Sequence, residues 1–167
     1  KITLQEYVQI AYLDRMIHKA NERYLSMSNQ QYQLVRSAGT KDKRSHEALD
    51  LDVIDFSNGS IRPVSSLSGG ESFIASLALA LGMSDEIQSQ AGGIQIDTMF
   101  IDEGFGTLDR ESLNNAIQTL MKLSGENRLV GIISHVKELK ERIHKGIIVT
   151  KDLHGSYGSV AKVINEE

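Results

Sequence analysis

Two adjacent carboxylates follow an apolar segment in the second half of the chain. Asp102 and Glu103 come directly after the apolar residues 98–101, which predict a buried strand. Ligands of parallel sheets bind at the carboxyl ends of the strands. One acid there can hold Mg²⁺ and the other can orient or deprotonate an attacking water, and strand alternation predicts different side-chain directions for the two. An acidic helix cap after a strand is the structural alternative.

A serine and two glycines precede a long apolar run, in the sequence Leu67-Ser68-Gly69-Gly70-Glu71. A helix that begins here exposes backbone N–H groups, and such a helix start binds anions. The glycines would also let a phosphate approach closely, because no Cβ intervenes. An ordinary serine cap followed by loop glycines explains the same residues, so both interpretations stay open at this point.

A histidine follows a second apolar segment. His135 comes after residues 129–133 and Ser134. If residues 129–133 form a strand beside residues 98–101, His135 lies on the same edge as Asp102 and Glu103. A histidine at that edge could donate a hydrogen bond to a terminal phosphate or to its attacking water. A polar surface residue is the simpler explanation of a single histidine.

The first third of the chain predicts a long helix and then two strands. Residues 4–27 carry apolar positions at alternating spacings of three and four, which is the pattern of a coiled-coil seam, and a surface helix packed on the domain is the alternative. Strands are predicted over 32–36 and 49–56, with a polar loop over 39–46 and a turn at Asn58-Gly59 before Pro63 closes the strand region. The proposed seam consists of Ile10, Leu13, Ile17, Ala20, Tyr24 and Met27.

From Ser68 onward, helices alternate with apolar strands, which predicts an α/β fold with a parallel-sheet core flanked by helices. Turns are expected at Gly92-Gly93 and near Gly155. The predicted helices cover residues 69–87, 110–123 and 136–142, and the predicted strands cover residues 98–101, 129–133, 147–149 and 160–164.

Composition sets limits on the class of protein. The chain has 167 residues, of which 40% are hydrophobic and 24% charged, as expected for one compact domain. It has no cysteine, which excludes disulfides and cysteine zinc sites. No apolar stretch is long enough for a bilayer and no secretory leader is visible, so we expect a cytoplasmic protein without a membrane partner. Because Lys1 enters a helical pattern, we also expect a piece of a longer protein.

Positive charge is concentrated near the start of the chain. Residues 1–45 hold eight Lys and Arg against four Asp and Glu, although the whole chain has a net charge of −4. Lys41, Lys43 and Arg44 cluster in the predicted 39–46 loop. Contacts to DNA phosphates would explain the cluster. A solvated loop explains it equally well.

Taken in order, these motifs resemble the C-terminal half of an ABC-type ATPase head. Residues 67–71 resemble the signature motif, residues 100–103 the Walker B strand with its catalytic glutamate, residues 106–109 the D-loop, and His135 the switch histidine. The resemblance implies ATP and Mg²⁺ as cofactors, with Asp102 at the metal and Glu103 and His135 in catalysis. It further implies nucleotide contacts from Leu67, Ser68, Gly69, Gly70, Glu71 and Asp109.

Within this class the chain closely resembles the SbcC family of DNA-repair ATPases. The resemblance rests on residues 70–73, 104–109 and 133–136. It implies that residues 1–29 end a returning coiled-coil helix and that residues 30–167 form the C-terminal lobe of the head. The implied partners are the N-terminal half of the same protein, a second copy of the head, an SbcD-type nuclease and double-stranded DNA.

The sequence departs from a complete ATPase head in one respect. It contains no G-x-x-x-x-G-K-[ST] phosphate-binding loop, which the SbcC resemblance places in the N-terminal half. The isolated chain is therefore expected to be inactive. Three alternatives remain: a chromosome-organising SMC-type ATPase head, a transporter nucleotide-binding domain, and an inactive interaction module. The residues after Glu103 favour SbcC over the first two, and the Asp102-Glu103 pair with His135 argues against the third.

Overall fold

The computed structural model of the chain describes residues 3–37, 49–90, 96–124, 129–151 and 158–165. The polypeptide divides into two compact units, residues 1–133 and residues 134–167. The predicted loop 39–46 and the predicted turns at Gly92-Gly93 and Gly155 lie outside the described residues. Within the described ranges, no helix is both long and apolar enough to cross a membrane.

The first unit begins with the predicted long helix, α1, Leu4–Met27. Thr3 caps it: its hydroxyl accepts a hydrogen bond from Glu6 N–H at 3.2 Å, while the Glu6 carboxylate accepts one from Thr3 N–H at 2.7 Å. The proposed seam is buried from Ile17 to Met27, whereas Leu4 at the helix start is exposed. The C-terminal half of α1 therefore packs on the domain, which is the alternative that the sequence left open.

A second long helix, α2, spans Gly69–Gln90 and lies against α1. The two backbones approach closely at Gly82, where an added Cβ would lie 2.7 Å from Ala20 N. Ion pairs also link α1 to α2: the buried Glu86 carboxylate lies 2.9 Å from Arg15 Nε and 3.0 Å from Lys19 Nζ. Because a buried carboxylate is costly unless it is paired, this contact fixes how the two helices meet.

A three-stranded antiparallel sheet follows α1, in the order β1 (Tyr32–Arg36), β2 (Leu51–Asp55), β3 (Ser60–Pro63). The first two strands confirm the prediction, although β2 is shorter than the predicted residues 49–56, and β3 was not anticipated. The Asn58-Gly59 turn is confirmed, with Gly59 at φ +70°. Asn21 of α1 bonds to both Leu34 N–H and Leu34 C=O at 2.8 Å, which ties β1 to the helix.

The predicted parallel pair is present. Strand β4 (Thr98–Asp102) pairs with β5 (Leu129–Ile133) in parallel, and helix α3 (Arg110–Ser124) connects them. The prediction that residues 98–101 form a buried strand was wrong. Only Ile101 of β4 is buried and Phe100 is 70% exposed, because β4 has one hydrogen-bonded neighbour among the described residues and its outer face is uncovered.

The second unit contains a short helix, α4 (Lys137–Arg142), and a two-stranded antiparallel hairpin, β6 (Lys145–Lys151) and β7 (Ser159–Asn165). These elements confirm the last predicted helix and the last two predicted strands. The α/β fold class is therefore confirmed, with the parallel pair in the first unit and the antiparallel hairpin in the second.

Candidate nucleotide site

The start of α2 carries the predicted signature motif. Ser68 caps the helix, since its hydroxyl accepts from Glu71 N–H at 3.4 Å while the Glu71 carboxylate accepts from Ser68 N–H at 2.7 Å. Leu67 is half-buried, whereas Ser68 and Gly69 are exposed. The ordinary helix cap, which the sequence left open as an alternative, is therefore present. Anion binding by the exposed backbone N–H groups of this helix start stays a prediction.

Residues of the antiparallel sheet contact Glu71 of the predicted signature motif. The Glu71 carboxylate accepts a hydrogen bond from the Tyr32 hydroxyl at 2.6 Å and lies 3.5 Å from the Arg62 guanidinium. Arg62 also lies over the Tyr32 ring, 5.8 Å from its centroid. Tyr32 belongs to β1 and Arg62 to β3, so two strands hold Glu71, which in turn holds the Ser68 backbone.

The protonation states fit this arrangement. Burial opposes the charged form of Glu71, but the hydrogen bonds from Tyr32 and Ser68 outweigh it and hold the pKa of Glu71 below its ordinary value. Burial, together with the hydrogen bond to Glu71, raises the pKa of Tyr32 to about 12. At neutral pH the pair therefore consists of a carboxylate acceptor and a neutral phenol donor.

The two signature glycines have different surroundings. A Cβ added at Gly70 would lie 2.8 Å from the Thr107 carbonyl oxygen, which is too close for any side chain. A Cβ added at Gly69 would lie 3.7 Å from Thr107 Cγ2, an ordinary contact distance. The fold itself therefore requires glycine at position 70 but not at position 69. The close approach of Gly70 to the Thr107 carbonyl also joins the start of α2 to the loop that follows Glu103.

The two candidate carboxylates at the end of β4 leave the strand differently. Asp102 is its last residue, and Glu103 N–H continues the ladder by donating to Ile133 C=O at 2.9 Å. Glu103 then adopts φ +59° and Gly104 φ +94°. Strand alternation was expected to set the direction of the Glu103 side chain. It does not, because the backbone adopts a left-handed conformation at that residue. Both side chains are exposed.

The predicted D-loop residue Asp109 caps the next helix, α3. Its carboxylate accepts from Glu111 N–H and Ser112 N–H at 2.9 Å each and from the Ser112 hydroxyl at 2.7 Å. These hydrogen bonds, led by the one from Ser112 N–H, hold the pKa of Asp109 below its ordinary value. Asp109 is thus a charged helix cap in this chain.

A polar cavity of about 430 Å³ lies between the start of α2, the D-loop and the end of α1. It is the region where the predicted signature and D-loop residues come together. The fully buried Tyr24 hydroxyl borders it and has no hydrogen-bond partner among the described residues. The lining includes Ser68, Gly70, Glu71, Thr107, Asp109 and Ser112.

Two predicted roles remain, that of His135 in catalysis and that of Asp102 as a magnesium ligand. His135 belongs to the second unit, where it is exposed just before α4, so its role stays a prediction. Within the described residues, no three or more His, Asp or Glu side chains form a ready metal site. A magnesium ion that binds with a nucleotide needs only one or two protein carboxylates beside the phosphates. Asp102, exposed at the strand end, fits that requirement.

Sequence reasoning missed the residues that support this region. Tyr32 and Arg62 are 39 and 9 positions from Glu71, so no local spacing signals the contact. Phe73, whose ring lies against Gly104, was read only as part of a family pattern. No sequence pattern marks the left-handed backbone at Glu103. The following Gly104 is the single hint that an unusual turn is needed there.

Comparison with known proteins assigns the chain to a family. Residues 39–122 match the family model described as SbcC/RAD50-like, Walker B motif. The chain belongs to the SbcC/RAD50-like family. It is 51% identical over 157 residues to the SbcC protein of the SbcCD nuclease from Staphylococcus haemolyticus, and 49% identical over 156 residues to that from Staphylococcus saprophyticus. These matches cover 94% and 93% of this chain but 15% of each relative, so the chain spans about a seventh of their length.

Solved structures of SMC-type ATPase heads share the fold. A structure from a study of ATP-driven dimerisation and DNA-stimulated activation of SMC ATPases superposes with a TM-score of 0.71 at 13% identity, covering 96% of this chain and 89% of that one. The Smc head of Pyrococcus furiosus bound to the C-terminal domain of ScpA gives 0.63 at 14% identity, covering 96% and 37%. At these identities the likeness is one of fold, while the sequence matches assign the chain to the SbcC side.

Proposed function

We propose that this chain is the C-terminal part of the ATPase head of an SbcC-type component of a DNA nuclease. The observation that carries the proposal is the contact between Gly70 and Thr107. It places the start of the signature helix against the loop that follows the Asp102-Glu103 pair. The start of α2 and the loop after the Asp102-Glu103 pair therefore lie in contact within one compact unit, which supports their assignment to one ATPase head.

The exposed apolar face of the parallel pair supports a further segment of the same protein as a partner. Phe100, Leu129 and Ile133 are 70%, 63% and 55% exposed, although strands of parallel sheets are ordinarily buried on both faces. The relatives are several times longer than this chain. We place the phosphate-binding loop in that additional sequence, where it would cover this face and supply the donors that the present chain lacks.

In the completed site, ATP and Mg²⁺ would bind with Asp102 as the carboxylate ligand of the metal. Bound Mg²⁺ would neutralise charge on the phosphates. The Glu103 carboxylate would orient the attacking water and take its proton, and His135 would donate a hydrogen bond to the terminal phosphate. The helix start at residues 67–71, with Asp109 nearby, would contact the nucleotide held by a second head.

The proposal extends to the assembly. Two heads would associate around ATP and separate after hydrolysis, and this cycle would regulate an SbcD-type nuclease in the cytoplasm. Residues 1–29 would end a returning coiled-coil helix. Duplex DNA would contact the basic 39–46 loop, which lies outside the described residues. Duplex binding by the complete head that does not fall with added salt would count against that contact.

The decisive experiment is Glu103→Gln in the complete head, with the P-loop segment present. The amide is nearly isosteric but cannot accept the proton of the attacking water. We expect ATP to bind as before, turnover to fall about 100-fold or more, and the ATP-bound head dimer to persist. Radiolabelled ATP hydrolysis and light scattering measure the two effects.

Glu22→Gln is the matched control, because Glu22 is exposed on α1, away from the cavity, and undergoes the same chemical change. It should hydrolyse ATP like the parent protein. Parental turnover by Glu103→Gln would remove Glu103 from its proposed role. The isolated chain should bind ATP weakly, and micromolar affinity in calorimetry would contradict the half-site proposal.

A further inference from the structure

The loop after β4 packs against Phe73, a side chain of α2. Gly104 packs against the Phe73 ring, and a Cβ added at Gly104 would overlap that ring. Phe73 lies in the first turns of α2, and its ring meets the buried Phe105 ring edge to face, with 4.8 Å between centroids. The Phe73 ring thus packs against both Gly104 and Phe105, which joins α2 to the loop after β4.

The residue before Gly104 has an unfavourable backbone conformation. Glu103 is a non-glycine residue at φ +59°. Such a conformation is unfavourable for a non-glycine residue and persists only where the surroundings enforce it. An unconstrained loop would relax towards a right-handed or extended conformation. The Glu103 side chain would then leave the backbone in a different direction.

Three of the contacts around Glu103 and Gly104 support this conformation. Glu103 N–H donates to Ile133 C=O at 2.9 Å, and the Thr107 hydroxyl donates to Gly104 C=O at 2.8 Å. The third contact is the Phe73 ring against Gly104. The two hydrogen bonds come from β5 and from the loop itself. Phe73 alone of these comes from the helix that carries the signature motif, and it can be removed without deleting either hydrogen bond.

We propose that Phe73 is a positioning residue for Glu103. Its ring fills the space beside Gly104 that the loop would otherwise use to relax, and it thereby keeps the carboxylate aligned for proton abstraction. The inference rests on the proposed role of Glu103 as catalytic base and adds a residue that touches neither nucleotide nor metal. A displacement of about 1 Å at a catalytic group can lower a rate about 100-fold, so a side chain that prevents relaxation matters for turnover.

The test uses the complete head, with the P-loop segment present, carrying Phe73→Ala or Phe73→Leu. We expect kcat to fall about 10- to 100-fold for alanine and less for leucine, which fills part of the space. The KM for ATP and the ATP-dependent association of heads should change less than about three-fold, because the exposed helix start is untouched. This split separates positioning from general damage to the fold.

Leu81→Ala is the matched control for stability. Leu81 is a buried residue eight positions further along α2, where it lines a small cavity with Met99 and Leu123. Its truncation should lower the unfolding temperature at least as much as Phe73→Ala while leaving kcat within about three-fold of the parent. An equal loss of kcat in Leu81→Ala would show that instability alone explains the Phe73 result and would overturn the inference.

A double-mutant cycle decides whether Phe73 acts through Glu103. In a Glu103→Gln background, Phe73→Ala should lower the residual single-turnover rate no further, because there is no base left to position. If the two losses multiply, or if both Phe73 variants retain parental kcat, the inference is wrong. Failure of the proposed function has a different signature, since Glu103→Gln alone would then hydrolyse ATP normally.

Discussion

The start of α2 and the end of β4 both carry candidate nucleotide-site residues but are held in place in different ways. At the start of α2, polar partners satisfy the backbone and the Glu71 carboxylate, with Tyr32 behind them. At the end of β4, Glu103 is left-handed and is followed by Gly104, which packs against the Phe73 ring. The first region is fixed by hydrogen bonds that lower its energy, and the second is forced into a conformation that raises it.

This difference fits the two proposed tasks. A helix start that contacts the nucleotide of another head has to present the same exposed donors before and after the heads meet. A catalytic carboxylate needs one defined direction at the moment of reaction, and strained residues cluster at such positions. Substitutions at the start of α2 should therefore affect assembly, whereas substitutions around Gly104 should affect turnover.

The largest effect that would sharpen this comparison is expected for Ser68→Arg. Ser68 is exposed at the helix start, and a long cation there would fill the space that an approaching nucleotide needs. Each complete head should still bind ATP through its own P-loop segment, but ATP-dependent dimerisation should be lost. Light scattering with a slowly hydrolysed ATP analogue would then show monomers.

Ser76→Arg is the control for this experiment, since it adds the same cation to an exposed position two turns further along α2. It should dimerise normally. A normal dimer of Ser68→Arg in the same assay would contradict a contact from this helix start to a second head.

A smaller effect is expected from alanine at the two signature glycines. Gly70→Ala would force a methyl group against the Thr107 carbonyl, and we expect a loss of about 1–3 kcal/mol in unfolding free energy. Gly69→Ala meets only an ordinary contact and gains helix propensity, so the stability of the head should be unchanged or higher. Denaturant unfolding of the two variants measures the difference.

The same pair of variants sharpens the assignment of the start of α2. If Gly69→Ala is as stable as the parent head but no longer dimerises with ATP, the space above Gly69 is needed by something outside this chain. If Gly69→Ala and Gly70→Ala lose equal stability, the structural difference between the two glycines has been misjudged.

Much of the fold could be predicted because it depends on local patterns. The three-and-four spacing in residues 4–27 and the apolar segments at 98–101 and 129–133 mark their elements, and Asn58-Gly59 marks its turn. The burial of β4 was predicted wrongly. Apolar composition indicates that a strand is stabilised by burial, but it does not show whether the same chain supplies the residues that cover it. Phe100 is apolar, yet it is 70% exposed.

The candidate site was predictable only as a set of motifs. Their order along the chain indicates the family, but contacts such as Tyr32 to Glu71 join distant positions and leave no spacing to detect. The conformation of Glu103 depends on a ring from α2 and on β5, so it is a property of the assembled unit. For this reason the sequence suggested Glu103 as the catalytic carboxylate but could not suggest the contacts that support its backbone conformation.

The smallest expected effect concerns the support behind the start of α2. Tyr32→Phe removes the hydroxyl that donates to Glu71, which should cost about 1 kcal/mol at neutral pH. The pKa of Glu71 is depressed in the folded chain, so this stabilisation is present above its ordinary value of 4.5 and is lost as the pH falls through the lower folded value. The pKa of Tyr32 is raised to about 12, so the same stabilisation is lost again as the pH rises from 10 towards 12.

Thermal unfolding of parent and Tyr32→Phe proteins across the pH range would test this, with Tyr7→Phe as the control because Tyr7 is exposed at the start of α1. The gap in stability should be widest at neutral pH and should narrow at both ends, whereas Tyr7→Phe should follow the parent throughout. A gap that stays constant down to pH 3 would mean that the Tyr32 hydroxyl does not act through the ionised Glu71. The start of α2 would then be held by its own helix cap, and its contrast with the strained end of β4 would lie in the backbone alone.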